Sequence, residues 1–114
     1  MSWKLTFLQQ IVDADIFVKS TEMSPHIELY QIDDTHWQQL AQIANANQLR
    51  WAAGFAVQSG EQFHVHACFE RKGTYLLFRT TINGSKPQLP SQATVYAAAN
   101  RSERHTHDLF GIEF

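Results

Sequence analysis

An α+β fold is predicted by three observations on this 114-residue chain. The stretch 33–48 carries helical periodicity, the run 61–82 reads as two strands joined by a tight turn, and residues 91–111 read as a closing helix. Together they imply a mainly antiparallel sheet of about four strands, with helices packed on one face and a C-terminal helix at the end. A chain of this length builds one hydrophobic core and not two, so residues 1–114 are read as a single domain. Apolar residues make up 44% and charged residues 18%, with eight Phe and three Trp, a balance that favours an ordered core over disorder.

Taken in order, Leu5, Leu8, Ile11 and Val12 recur at helical spacing and predict a first helix. "TEMSPH" (21–26) reads as a loop, because Pro25 drives Ser24 out of helical geometry. "HIELYQI" follows as a short strand, from the alternation of Ile27 and Leu29 and the β-former Tyr30. In "DDTHWQQLAQIANANQ" Asp33 or Asp34 caps a helix whose Trp37, Leu40, Ala41 and Ala44 share one face, and Asn45 and Asn47 mark its end. "RWAAGFAVQSG" alternates Trp51, Ala53, Phe55 and Val57 against the small residues Ala52, Gly54 and Ala56, as a half-buried strand does. A hairpin comes next, with Phe63, Val65, Ala67 and Phe69 on one face, a turn near Lys72-Gly73 and a return strand from Thr74 to Ile82. Residues 83–91 are rich in turn formers, and Ser91 after Pro90 is placed to cap the last helix.

Composition closes off several functions. A net charge of -2 with no basic stripe excludes a nucleic-acid footprint. Cys68 is the only cysteine, so an internal disulfide and a Cys-rich zinc cluster are excluded and a reducing cytosol is the expected setting. No segment approaches the ~18 consecutive apolar residues of a spanning helix, so any membrane link is expected to be indirect. His64, His66 and Cys68 project from one side of their strand and are chemically able to bind zinc, but successive positions lie ~7 Å apart. A half-polar or partner-covered sheet face is the simpler reading. His105 and His107 diverge by about 200° on a helix and do not chelate one ion. Cys68 has no positioned base, and neither a nucleophile elbow, a dinucleotide fingerprint nor a phosphate-binding loop is present.

The closing segment "NRSERHTHDLFGIEF" is the densest in charge. On a helical wheel Val95, Ala98, Ala99, Ser102, Thr106 and Leu109 form a stripe of mostly small residues suited to close packing on a sheet. Glu103 and His107 flank it on one side, Arg101, His105 and Asp108 on the other, and Arg104 lies outermost. Gly111 stands where a left-handed helix C-cap is expected, with Leu109, Phe110, Ile112 and Phe114 around it. Apolar residues leaving a charged helix suit a docking surface.

"PSQATVYAAANRSERHTHDLFGIEF" (90–114) resembles the closing signature of the 30 kDa subunit family of respiratory complex I, shared with the related subunit or domain of membrane-bound nickel-iron hydrogenases and formate hydrogenlyase. Pro90, Ser91, Ala98, Ala99, Asn100, Glu103, Arg104, Asp108, Leu109, Phe110, Gly111 and Ile112 match. Arg101 stands where the family usually has Trp, and His105 where it usually has a second Glu.

The resemblance implies a non-catalytic assembly domain in the cytoplasm-facing peripheral arm of an inner-membrane oxidoreductase complex, binding no flavin, iron-sulfur cluster or nickel of its own. Its implied partners are the large subunit of complex I or of a nickel-iron hydrogenase, separate or fused, and a neighbouring iron-sulfur subunit. Its interface would be Glu103, Arg104, Asp108, Leu109, Phe110, Gly111 and Ile112, with the charged residues fixing the helix and Phe110 and Gly111 steering the chain that follows. His107-Asp108 and the altered Glu-Arg-Glu lean toward the hydrogenase side. Family members usually continue beyond this signature, so the expectation is a truncated domain or further chain after Phe114. The alternative, from the residues alone, is a freestanding ligand- or metal-binding module using the His64/His66/Cys68 face.

Overall fold

The computed structural model describes residues 3–14, 16, 19–24 and 27–114, with backbone alone for 19–24, 27 and 28. Helix α1 (Trp3–Asp13) is followed by strands β1 (Lys19–Ser24) and β2 (Ile27–Gln31), a 3₁₀ turn (Asp34–His36) and helix α2 (Trp37–Ala46). Strands β3 (Arg50–Ser59), β4 (Gln62–Arg71) and β5 (Thr74–Asn83) come next, and helix α3 (Ala99–Phe110) closes the chain. The sheet has five strands in the order β1-β2-β5-β4-β3; every neighbouring pair is antiparallel except β2 with β5, which is parallel. The predicted class and the predicted closing helix are both present. The fifth strand is β1, since Thr21, Glu22 and Ser24 of the expected loop pair with β2, while Pro25 and His26 lie outside the described residues.

One face of the sheet carries the core. Cross-strand pairs Phe69 with Leu76, Ala67 with Phe78 and Phe63 with Ile82 build it, and Tyr30 stacks on Phe78 at 5.2 Å. Side chains from all three helices cover this face: Phe7 and Ile11 from α1, Trp37, Leu40, Ala41 and Ala44 from α2, and Phe110 from α3. Burying a Leu- or Phe-sized side chain contributes roughly 1.5–3 kcal/mol, so this layer is the main source of stability. In α1 the buried side is Phe7 and Ile11, one turn apart, while Leu5 and Val12 are 64% and 60% exposed. The predicted apolar spacing was correct for a helix, but the aromatic Phe7 and not Leu5 turns inward.

Helix α2 buries the four predicted residues, and Asp33 caps the 3₁₀ turn by accepting from Thr35 N at 3.0 Å. The hairpin turn places Lys72 and Gly73 at φ 52 and 81, the left-handed values that such a tight turn requires. In β3 a bulge between Trp51 and Ala53 resets the alternation. Trp51, Gly54 and Ala56 therefore face the helices, and Ala53, Phe55 and Val57 face the other way, which corrects the predicted grouping of Trp51 with Phe55. Among the described residues no helix is long and apolar enough to cross a membrane.

Candidate partner-docking surface on the closing helix

Helix α3 begins at Ala99, seven residues later than a helix capped by Ser91 would, because 92–98 forms turns instead. Ser91 does not cap it. Its Oγ accepts from Ala93 N at 3.0 Å and donates to Glu103 Oε1 at 2.6 Å. Gln92 is buried: its backbone N donates to Glu103 Oε2 at 2.7 Å, its Nε2 donates to Trp37 O at 2.8 Å and its Oε1 accepts from Trp51 Nε1 at 3.2 Å. One carboxylate and one amide thus tie α3 to the preceding turn, to α2 and to β3. Hydrogen bonds to a charged group contribute about 1.5–3 kcal/mol each, so Glu103 is a strong anchor. Tyr96 adds a bond from its hydroxyl to Leu49 O at 2.8 Å, and burial pushes the phenol up to about 12.

The small-residue contact is real but narrower than the wheel implied. Ala99 and Thr106 are buried, and Ser102 Oγ donates to Gly54 O at 2.8 Å. A Cβ on Gly54 would meet Trp51 Cζ2 at 2.6 Å and Ser102 Oγ at 3.0 Å, so glycine is required for this approach. Leu109 departs from the predicted stripe. It is 61% exposed, because with the helix phased on Ala99, Thr106 and Phe110 it falls on the solvent side.

The end of α3 is pinned as well. Gly111 has φ 74 and its N–H donates to His107 O at 2.7 Å, the left-handed cap expected there. Phe110 packs on Phe63 at 5.2 Å between ring centres. Ile112 is fully buried. Glu113 bridges to Gln88, with Leu89 N donating to Glu113 O and Glu113 N to Pro87 O, both at 2.9 Å. His107 Nδ1 lies 3.0 Å from Ile112 O, which fixes the tautomer that donates to this carbonyl.

Of the seven residues singled out, Glu103, Phe110, Gly111 and Ile112 are therefore engaged within the fold. Arg104, Asp108 and Leu109 are exposed. Arg101 and His105 share that outward side, and none of the four polar residues Arg101, Arg104, His105 and Asp108 makes a side-chain hydrogen bond or ion pair among the described residues. Sequence reasoning missed the roles of Ser91 and Gln92. The available signal was Ser91 standing twelve positions before a glutamate on a helix, too distant for a capping box.

The sheet face opposite the helices is the other polar region. His64, His66 and Cys68 do share it, as predicted, but they are drawn to separate neighbours. His64 Nδ1 lies 2.9 Å from Thr81 Oγ1, and His66 stacks under Phe55 at 4.4 Å with an interplanar angle of 9°. Burial first, then the charge of Arg79 and of His64, pushes His66 down to about 4. Burial also pushes the Cys68 thiol up, away from nucleophilic character. Among the described residues no group of three His, Cys, Asp or Glu converges on a point that holds a metal.

The family model described as the respiratory-chain NADH dehydrogenase 30 kDa subunit matches residues 18–114. Among solved structures, Nqo5 in a trypsin-resistant fragment (1–134) is similar, with a TM-score of 0.73 at 17% identity over 99% of this chain and 96% of that one. A chain of the membrane-bound sulfane sulfur reductase, an archaeal respiratory membrane complex, is similar with a TM-score of 0.78 at 18% identity, over 99% of this chain and 71% of that one. At these identities the likeness is one of fold.

Proposed function

The chain belongs to the 30 kDa subunit family of respiratory-chain NADH dehydrogenase, and from that premise we propose that it is a docking subunit of a multisubunit respiratory membrane oxidoreductase. Its role is positional: it bears on the large subunit that carries the quinone or nickel-iron site, as part of a peripheral arm on the cytoplasmic side, and meets the membrane only through the complex. The observation that carries this reading is the outward side of α3, where Arg104, Asp108 and the 61% exposed Leu109 have no partner within the described chain. Side chains left without a partner on a helix that is otherwise anchored to the domain are matched best by a surface outside the molecule.

The test is co-purification of the full complex from its native host, with a tag on this chain. Arg104→Ala and Leu109→Ser should each reduce the large subunit recovered with it, by roughly the 10-fold that a loss of about 1.4 kcal/mol at an interface gives. Unchanged recovery in both would show that this side of α3 is not the contact.

A further inference from the structure

We infer that the outward side of α3 recognises an acidic segment of its partner, one presenting at least two carboxylates to Arg101 and Arg104 and an apolar recess to Leu109. This rests on the docking reading above and adds to it the chemistry of the surface that α3 meets.

The fold leaves charges over on this side of α3. The chain as a whole is net -2, yet the groups left without a partner on this side of α3 are two guanidiniums against one carboxylate. Glu103, the acid nearest Arg104 in sequence, is turned inward and held by Ser91 and Gln92. Asp108 lies one turn beyond Arg104, but no ion pair forms between them. That order, cation before anion along the helix, is the weaker arrangement of an i,i+4 pair. Arg101 and Arg104 stand three positions apart on the same exposed side, with imidazole and not carboxylate at His105 beside them. Two guanidiniums carried three positions apart on one helix can each take a carboxylate bidentately.

Leu109 sets the apolar half of the match. Docked, an exposed leucine removes apolar area from water, while the arginines supply orientation and steering. Two cations followed by Asp108 fall short of the four to eight clustered basic residues that attach a protein to an anionic lipid surface, so a protein segment is favoured over a membrane.

A photo-cross-linking residue placed at Leu109, in the complex assembled in its native host, reads the partner directly. The cross-links should fall in one stretch of a neighbouring subunit that carries at least two Asp or Glu. Cross-links to a stretch without acids, or to lipid, overturn the inference. In parallel, Arg101→Glu with Arg104→Glu should lower recovery of the complex by about 10-fold or more at physiological salt, and Arg101→Lys with Arg104→Lys should fall between that and wild type. Recovery of the charge-reversed protein equal to wild type also overturns it. Failure of the wild-type chain to co-purify with any large subunit would instead remove the docking reading itself. Circular-dichroism melting of each variant separates lost docking from lost folding, since exposed substitutions shift stability by only about 0.5 kcal/mol.

Discussion

The inward side of α3 presents Ala99, Ser102, Glu103, Thr106 and Phe110 to the sheet and to the turn at 91–93, whereas its outward side presents Arg101, Arg104, Asp108 and Leu109 to solvent. Both sets come from one contiguous sequence signature. The contrast shows that the signature is not one structural unit: part of it builds the helix into the domain, and the rest faces solvent. Charge alone does not sort the two, because Glu103 is a fold residue and its neighbour Arg104 is not. What sorts them is whether a hydrogen-bond partner or a cavity is supplied from within the chain.

The largest effects are expected on the inward side of α3 and the chain that follows it. Ile112, fully buried where the chain returns over residues 87–89, should lose about 2–5 kcal/mol on replacement by Ala, measured by urea denaturation. A loss below 1 kcal/mol would mean that the end of the chain is not part of the core. Glu103→Ala comes next. It removes the acceptor of the Ser91 hydroxyl and of Gln92 N–H, and should lower stability by about 2–3 kcal/mol. A drop in complex recovery without that loss of stability would move Glu103 to the partner side.

The smallest effect lies on the uncovered sheet face. His66 falls from an ordinary 6.5 to about 4 in the folded chain, so between these values the unfolded chain binds a proton that the folded one does not. Its contribution is therefore complete above about pH 6.5 and is lost as pH falls toward 4. Denaturation midpoints compared at pH 7 and pH 4.5 should show wild type losing more than His66→Leu over that interval. Equal losses would show that His66 is not held neutral by its place under Phe55.

Much of the fold was legible because its signals are local. The periodicity of Trp37, Leu40, Ala41 and Ala44 and the turn at Lys72-Gly73 each need only a few neighbouring residues to be read. Strand β1 was not, since residues 21–24 show no apolar alternation, and it is the pairing of Thr21, Glu22 and Ser24 with β2 that makes them a strand. The bulge in β3 was equally invisible: one extra residue at Ala52 exchanges the faces of everything after it. The late start of α3 has a similar cause. Val95 and the alanines that follow it satisfy a helical wheel, but Gln92 is drawn instead to Trp37 and Trp51, far away in sequence. For the candidate surface, the signature falls on α3, while the split between its two sides depended on that helix's phase, set by Gly54 and Trp51.

The most direct test of the account combines two readouts on one protein carrying Arg104→Ala and Leu109→Ser. The melting temperature should stay within about 2–4 °C of wild type, as a change of about 0.5 kcal/mol gives in a domain of this size, while recovery of the large subunit with the tagged chain should fall by at least about 10-fold. A protein that melts like wild type and still assembles like wild type would contradict the assignment of this side of α3 to a partner.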